Sequence, residues 1–460
     1  MSELKRDLGI WAAISIVVGT VIGSGIFRVP QTMTQNAGTI GMVFAVWVVG
    51  GILTMAGALT YAELASMLPG AGGEYVYLTE AYGPIWGYLY GWTQMWVAKS
   101  GSIATLATAF FEYSGNFFPE PEHVFFQIPL PLGEHGAPLN VSYGQVFAIV
   151  VIMSLAIVNY FGVKAGGNLQ VVVTAVKVGL ICFIIIAGIL HGNTAESHAP
   201  VTHATTAGFF AALVAALWAY DGWNNVGMVA SEVRDPQRNL PRSLIWGTIA
   251  VMVIYMLANA AYFLVLSPES IAGHKLVAAE MMRQIQGQLG ANWVSIAAMI
   301  SIFAALNGSI LTGARVPYAM ARDGKFFAVF ARVHPQFRTP GVSILLLSAW
   351  SSVLVLSGRY DQLYTAVIFS SWILYAMATA SVIVLRKKRP DLPRPYRTLG
   401  YPVVPILFLI GAFALEVSTL QQSPRESIGG IVLILLGLPF YYYWKRRRSA
   451  GASDGPRSTP

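Results

Sequence analysis

Apolar runs of about twenty residues recur from one end of this chain to the other, and twenty helical residues span the hydrocarbon core of a bilayer. No water there can satisfy a backbone N–H or C=O, so such runs have to cross as helices. They fall at about 10–34, 40–66, 84–112, 143–162, 167–191, 206–231, 240–266, 291–320, 341–357, 362–386, 401–420 and 427–444. That makes roughly twelve spans. The stretch 268–289 is too polar to cross and is expected to form short surface helices. Composition agrees: 55% of the 460 residues are hydrophobic and 11% are charged, where a soluble domain carries about 25% charged residues.

Charge sets the orientation. Lys5, Arg6, Lys164, Arg234, Arg238, Arg242, Arg322, Lys325, Arg332, Arg338, the run 386–389 with Arg394 and Arg397, and the run 445–448 all fall in one set of alternate loops. The opposite set has only Arg28, Lys275, Arg283, Arg359 and Arg425. Basic loops stay inside, so both termini are expected in the cytoplasm of a multi-pass protein of the cell (inner) membrane. The net charge of +8 is then a topology signal and does not call for a nucleic-acid partner. No cleavable leader is visible, because the first apolar run has no small-residue cleavage site. The single cysteine, Cys182, excludes an intrachain disulfide. The seven histidines lack ligand spacing, so neither a metal nor another cofactor is expected.

Two spans are interrupted. In VVGTVIGSGIFRVP (17–30), Gly23, Ser24 and Gly25 split the first apolar run. A Gly-rich packing face and an unwound break are both compatible with this stretch alone. The sixth span holds ALWAYDGWNNVG (216–227), with Asp221, Gly222, Asn224 and Asn225 at mid-membrane depth. Asp221 suits an N-cap of a resumed half-helix, or a carboxylate beside a bound ammonium or proton. Paired interruptions five spans apart point to inverted repeats, 10–191 and 206–386, with 401–444 appended and 447–460 an unstructured cytoplasmic tail. The pairing favours the break over the packing face. At such breaks, half-helix N–H groups attract an anion and freed carbonyls a cation. A zwitterion fits both, so the pattern points to an α-amino acid. Asp221 is the candidate for the ammonium on the second break.

The strings GTVIGSGIF (19–27), YAELASMLPGAGGEYVYL (61–78), AYDGWNNVGMVASEVRDPQRNLPRS (219–243), NGSILTGARVPYAMARDG (307–324) and RPDLPRPYR (389–397) carry a resemblance. With their order and spacing kept from about residue 8 to 446, the chain resembles the L-type amino acid transporter family of the amino acid–polyamine–organocation superfamily. The resemblance implies an all-α integral membrane protein of twelve helices. Its fold would be the LeuT-type five-plus-five inverted repeat with helices one and six broken, plus two C-terminal helices. It implies sodium-independent exchange of neutral L-amino acids. By the same resemblance, the substrate sits on the first break at Val21, Ile22, Gly23, Ser24 and Gly25, where amides at Ser24 and Gly25 hold its carboxylate. Carbonyls at Val21 and near Trp218 and Asp221 hold the ammonium, Trp218 is the aromatic gate, and Phe369, Ser371 and Trp372 line the pocket. Asp221 replaces a glycine found in many animal members. Those members are often joined to a single-span glycoprotein through a cysteine after span three. No cysteine lies between Glu112 and Ser142, so no disulfide-linked heavy chain is expected and the chain looks like a stand-alone bacterial member.

Lys177 sits about seven residues, roughly 10–11 Å, from the nearest end of its span. Snorkelling from that depth is awkward. In the resembled family a lysine here contacts the broken part of span one, where related symporters hold sodium, and Ser301 matches a neighbouring position. Both are candidate coupling residues. Lys99 is a second intramembrane lysine, for which snorkelling or pairing near a vestibule is favoured over substrate contact. Glu63, Glu232, Arg234 and Arg315, with Arg322, lie at one level and are candidates for a cytoplasmic gate or ordinary surface pairs. The glycine-rich PGAGGEY (69–75) lacks the ending of a P-loop and reads as a loop. No nucleophile–base cluster supports an enzyme and no repeated ring supports a channel. Proton-coupled symport, polyamine or cationic amino acid carriage, and an amino acid sensor with little flux stand as alternatives.

Overall fold

The computed structural model describes residues 4–115, 117, 123–128, 139–192, 201, 203, 205–356 and 360–453. The first apolar run is two helices, α1 (Ile10–Val21) and α2 (Gly25–Ala37). They are followed by α3 (Ile40–Met67), α4 (Glu74–Tyr82), α5 (Pro84–Thr93), a π-turn at Gln94–Ala98 and α6 (Lys99–Ser114). Strands β1 (Val124–Ile128) and β2 (Leu139–Ser142) pair antiparallel, a small exception to the all-helical expectation. Then come α7 (Tyr143–Tyr160) and α8 (Val163–His191). The second half opens with α9 (Thr206–Ala219) and α10 (Asn225–Met228), a 3-10 turn at Ala230–Glu232, and α11 (Pro236–Val265). It continues with α12 (Pro268–Gly273), α13 (Val277–Gly313), α14 (Arg315–Arg322), α15 (Gly341–Leu356) and α16 (Tyr360–Lys388). The chain closes with α17 (Val403–Gln422), α18 (Pro424–Leu435) and α19 (Gly437–Ser453).

Among the described residues, nine helical stretches are long and apolar enough to cross a membrane, and 206–219 and 341–356 are shorter apolar helices. Burial ranks them. The apolar windows of Ile10–Ala37 and Val277–Arg322 are each 78% buried, whereas those of Val403–Gln422 and Ser427–Arg447 are 28% buried. Segments α1, α2 and α13 therefore form the centre, and α17 to α19 lie at the rim. Around that centre α8 packs on α1, α11 and α13, and α2 packs on α9.

Three boundaries differ from expectation. The polar stretch 268–289 does form short helices, α12 and a helix from Val277 that is separated from the rest of α13 at Gly287 (φ 65°, ψ −153°), but the second is not confined to the surface, because Val277, Ala278, Ala279, Met281 and Met282 are buried. The region 69–75 is not only a loop, because Glu74 starts α4 and is fully buried. Helix α19 continues to Ser453, beyond the expected start of the tail at 447. Residues 454–460 of that tail, much of the loop after α6 and Arg359 lie outside the described residues.

Candidate functional site: a cavity where two broken helices cross

Helix α1 stops because Gly23–Gly25 cannot hold an apolar helical face together. Ile22 is extended (φ −75°, ψ 91°), and α2 resumes at Gly25. Helix α9 stops at Ala219, and Gly222 takes φ 105° before α10 begins, a conformation that suits only glycine without strain. The two breaks touch reciprocally. A Cβ on Gly25 would lie 2.9 Å from Ala219 Cβ, and a Cβ on Gly222 would lie 3.2 Å from the Thr20 backbone. Each glycine is thus the close-approach point for the other helix's end.

One hydroxyl joins these ends. Tyr255 of α11 reaches both Val21 O (3.1 Å) and Ala219 O (2.7 Å), and its ring packs on Trp47 and Tyr220. Thr20 donates to Gly222 O at 2.9 Å. On the far side of the first break, Lys177 donates to Gly19 O (2.8 Å) and Ile22 O (2.5 Å). Ser301 of α13 donates to Ile22 O (3.0 Å) and Gly23 O (3.1 Å). Lys177 is fully buried, so its ammonium is satisfied by the backbone that the break exposes.

Between the breaks lies a cavity of about 70 Å3, walled by Val21, Gly23, Ser24 and Gly25, by Trp218, Asp221, Gly222 and Asn225, and by Lys99, Ser371, Trp372 and Tyr375. The N–H groups of Ser24 and Gly25 have no backbone acceptor among the described residues. They stand at the N-terminal end of α2, where the peptide dipoles favour a negative group. Asp221 Oδ1 accepts from Tyr375 at 3.2 Å, and Lys99 donates to Asn225 Oδ1 at 2.6 Å. The cavity therefore offers an anion-seeking end and a carboxylate in one wall.

A sequence profile described as amino acid permease matches residues 8–437. The chain belongs to the amino acid permease family. The permease is 33% identical over 450 residues to the serine/threonine exchanger SteT of Bacillus subtilis (strain 168), covering 97% of this chain and 98% of that protein. It is 31% identical over 448 residues to b(0,+)-type amino acid transporter 1 of Mus musculus, covering 96% and 88%. It is 28% identical over 450 residues to the cystine/glutamate transporter of Homo sapiens, covering 96% and 85%. This places it in the amino acid–polyamine–organocation superfamily, among relatives of the L-type transporters. It is a multi-pass membrane amino acid transporter, not an enzyme.

Against that identity, the permease's expected site residues divide. Val21, Gly23, Ser24, Gly25, Trp218, Asp221, Ser371 and Trp372 all meet at the cavity. Ile22 and Phe369 are buried but are not among its walls. The Ile22 carbonyl is instead taken by Lys177 and Ser301. The Val21 carbonyl, expected for the substrate ammonium, already accepts from Tyr255 and from the Gly23 N–H at 2.9 Å. Tyr255 has one proton and stands closer to Ala219 O (2.7 Å), so Val21 O keeps room to accept, and Asp221 adds a carboxyl group to the same cavity wall. Asp221 does not cap a helix: α10 starts after Asn224 and has no side-chain cap.

The gate set also divides. Arg315 and Glu232 form a fully buried two-pronged pair (2.7 and 2.9 Å) between α14 and the end of the second break. Glu63 belongs elsewhere. It binds Arg386 (2.9 and 2.6 Å) and Thr398 (2.7 and 2.8 Å), with Arg394 at 3.5 Å. It thereby anchors the RPDLPRPYR segment to α3. Arg234 is exposed and faces Asp7 at 3.6 Å. Sequence spacing put these charges at one level; the lateral packing of α3, α14 and α16 separates them. Tyr255, Tyr375 and Gln94, which lines the same cavity from the π-turn, escaped the sequence reading because a lone buried tyrosine, or a π-turn, has no periodic signature.

Proposed function

We propose that the protein exchanges small neutral L-amino acids, independently of sodium, by alternating access. The reading takes twelve spans in two inverted repeats, 10–191 and 206–386, with 401–444 appended, no heavy chain and both termini cytoplasmic. The observation that carries it is the cavity itself, where unbonded amides of Ser24 and Gly25 face the carboxylate of Asp221 across the crossing of two broken helices. The amides receive the substrate carboxylate and Asp221 its ammonium. Trp218 bounds the side-chain space. A single water needs about 10–15 Å3 of such volume, so about 70 Å3 holds roughly five to seven water-sized groups. That fits a side chain of serine, threonine or alanine size, as does the likeness to a serine/threonine exchanger.

Sodium independence follows from Lys177. Its ammonium already occupies the carbonyls of Gly19 and Ile22, so a fixed cation supports the break in every turn of the cycle. The buried pair Glu232–Arg315 closes the cytoplasmic side, and its separation opens that side. A second reading, proton-coupled symport, rests on Asp221 standing in the cavity wall. Reconstitution into liposomes separates them. Exchange is expected to need internal amino acid and to ignore both sodium and a pH gradient. Uptake into empty liposomes driven by a pH gradient supports symport instead, and strict sodium dependence overturns the role of Lys177.

A further inference from the structure

Beneath the cavity, the turn between α3 and α4 clasps the second half of the broken sixth span. Gly72 N–H donates to Met228 O at 2.9 Å. A Cβ on Gly73 (φ 54°) would lie 3.1 Å from the backbone of Gly227 and Met228, so the two backbones run against each other. The next residue is Glu74, fully buried. Its Oε1 accepts from the Asn224 amide, and its Oε2 accepts from Tyr90 OH at 2.9 Å. Asn224 precedes α10, and its neighbour Asn225 holds Lys99 in the cavity wall. Two consecutive asparagines thus tie the break to a carboxylate below and to an ammonium beside the cavity.

Glu74 forms no ion pair within 4.0 Å among the described residues. A buried carboxylate held only by neutral donors is costly, and an apolar side chain would pack there more cheaply. Packing alone therefore does not account for it. The Oδ1 atom of Asn224 is buried and has no hydrogen-bond partner among the described residues. The groups around Glu74 are Tyr61 of α3, Tyr77 of α4, Tyr90 of α5, Lys99 of α6, Tyr375 of α16 and, beyond Lys99, Asp221.

Resting on the alternating-access reading, we propose that Glu74 is a positioning residue that latches the second broken helix while the cytoplasmic side is closed, and that its neutralisation releases that side. Ionised, the carboxylate accepts from Asn224 and Tyr90 together. Protonated, it becomes a donor, and the charge-assisted bond to Asn224 is lost. Burial raises its carboxyl to about 6, against the lowering effect of its hydrogen bonds and of Lys99. A raised carboxyl is ionised above that pH, so the latch holds at neutral pH and weakens below about pH 6.

The test uses Ser309, a buried cavity-wall residue of α13, as a reporter. Ser309→Cys in a Cys182→Ser background is labelled with a membrane-impermeant maleimide in oriented vesicles. Reporter protein with Glu74 intact is expected to label from both sides, with amino acid slowing it. Labelling from neither side removes the alternating-access reading and the latch with it. Glu74→Gln is expected to raise cytoplasmic-side labelling at neutral pH at least fivefold, and to abolish the rise that the intact protein shows between pH 7.5 and 5.5. The substrate concentration for half-maximal exchange is expected to move less than twofold, since Glu74 does not line the cavity. Asn224→Ala, which removes the donor, repeats the effect should Glu74→Gln fold poorly. Cytoplasmic labelling unchanged in both variants, or a pH response that survives Glu74→Gln, overturns the latch.

Discussion

Lys177→Met removes a buried positive charge and two hydrogen bonds while nearly preserving side-chain length. The magnitude follows from what is left behind. The Gly19 carbonyl has no helical donor, because the N–H four residues on, Gly23, turns to Val21 O. Lys177 is its partner at 2.8 Å, so the variant orphans it, at about 1–3 kcal/mol. The Ile22 carbonyl keeps Ser301 at 3.0 Å and is less affected. Since about 1.4 kcal/mol is one decade in rate, exchange is expected to fall roughly 5- to 100-fold. The assay is counterflow in proteoliposomes, normalised to protein that elutes as a monodisperse peak. Lys177→Met working within twofold of the unmodified protein per folded molecule refutes the reasoning, because the break would then stand without its cation.

Asp221→Asn is expected to raise the half-saturating substrate concentration about tenfold or more, through loss of the ammonium's counter-charge; binding unchanged across pH 5–8 would remove Asp221 from the site. Gly25→Ala should abolish transport with modest loss of folded yield, since its Cβ would meet Ala219 at 2.9 Å. Uptake near the unmodified rate would show that the breaks do not need that close approach. Glu232→Gln leaves Arg315 buried without its carboxylate and should cost about 3–5 kcal/mol, read as a clear drop in thermal stability in detergent. Glu232→Arg with Arg315→Glu should regain part of that loss, and no regain would mean the pair's surroundings, rather than the pair, set the stability.

Sequence alone determined the parts that depend on local rules. Bilayer thickness and the absence of water convert each apolar run into a helix, and Gly23–Gly25 and Asp221-Gly222 interrupt two of them wherever they are placed. Lys177 was legible as a mid-span lysine that needs a partner, while the partner itself, the first break, came from the family resemblance. What surrounds those breaks was decided by packing. Whether Val21 O is free depends on Tyr255, 234 residues away. Whether Glu63 meets a gate arginine or the segment after α16 depends on which helices lie side by side. Glu74 looked like a loop residue because its neighbours are glycines; only the approach of α10 to that turn makes it a buried carboxylate. Depth in the membrane can be counted along a chain, whereas lateral neighbours are set by how all the helices pack at once. For that reason the broken helices were visible beforehand, and the chemistry of the cavity between them was only partly so.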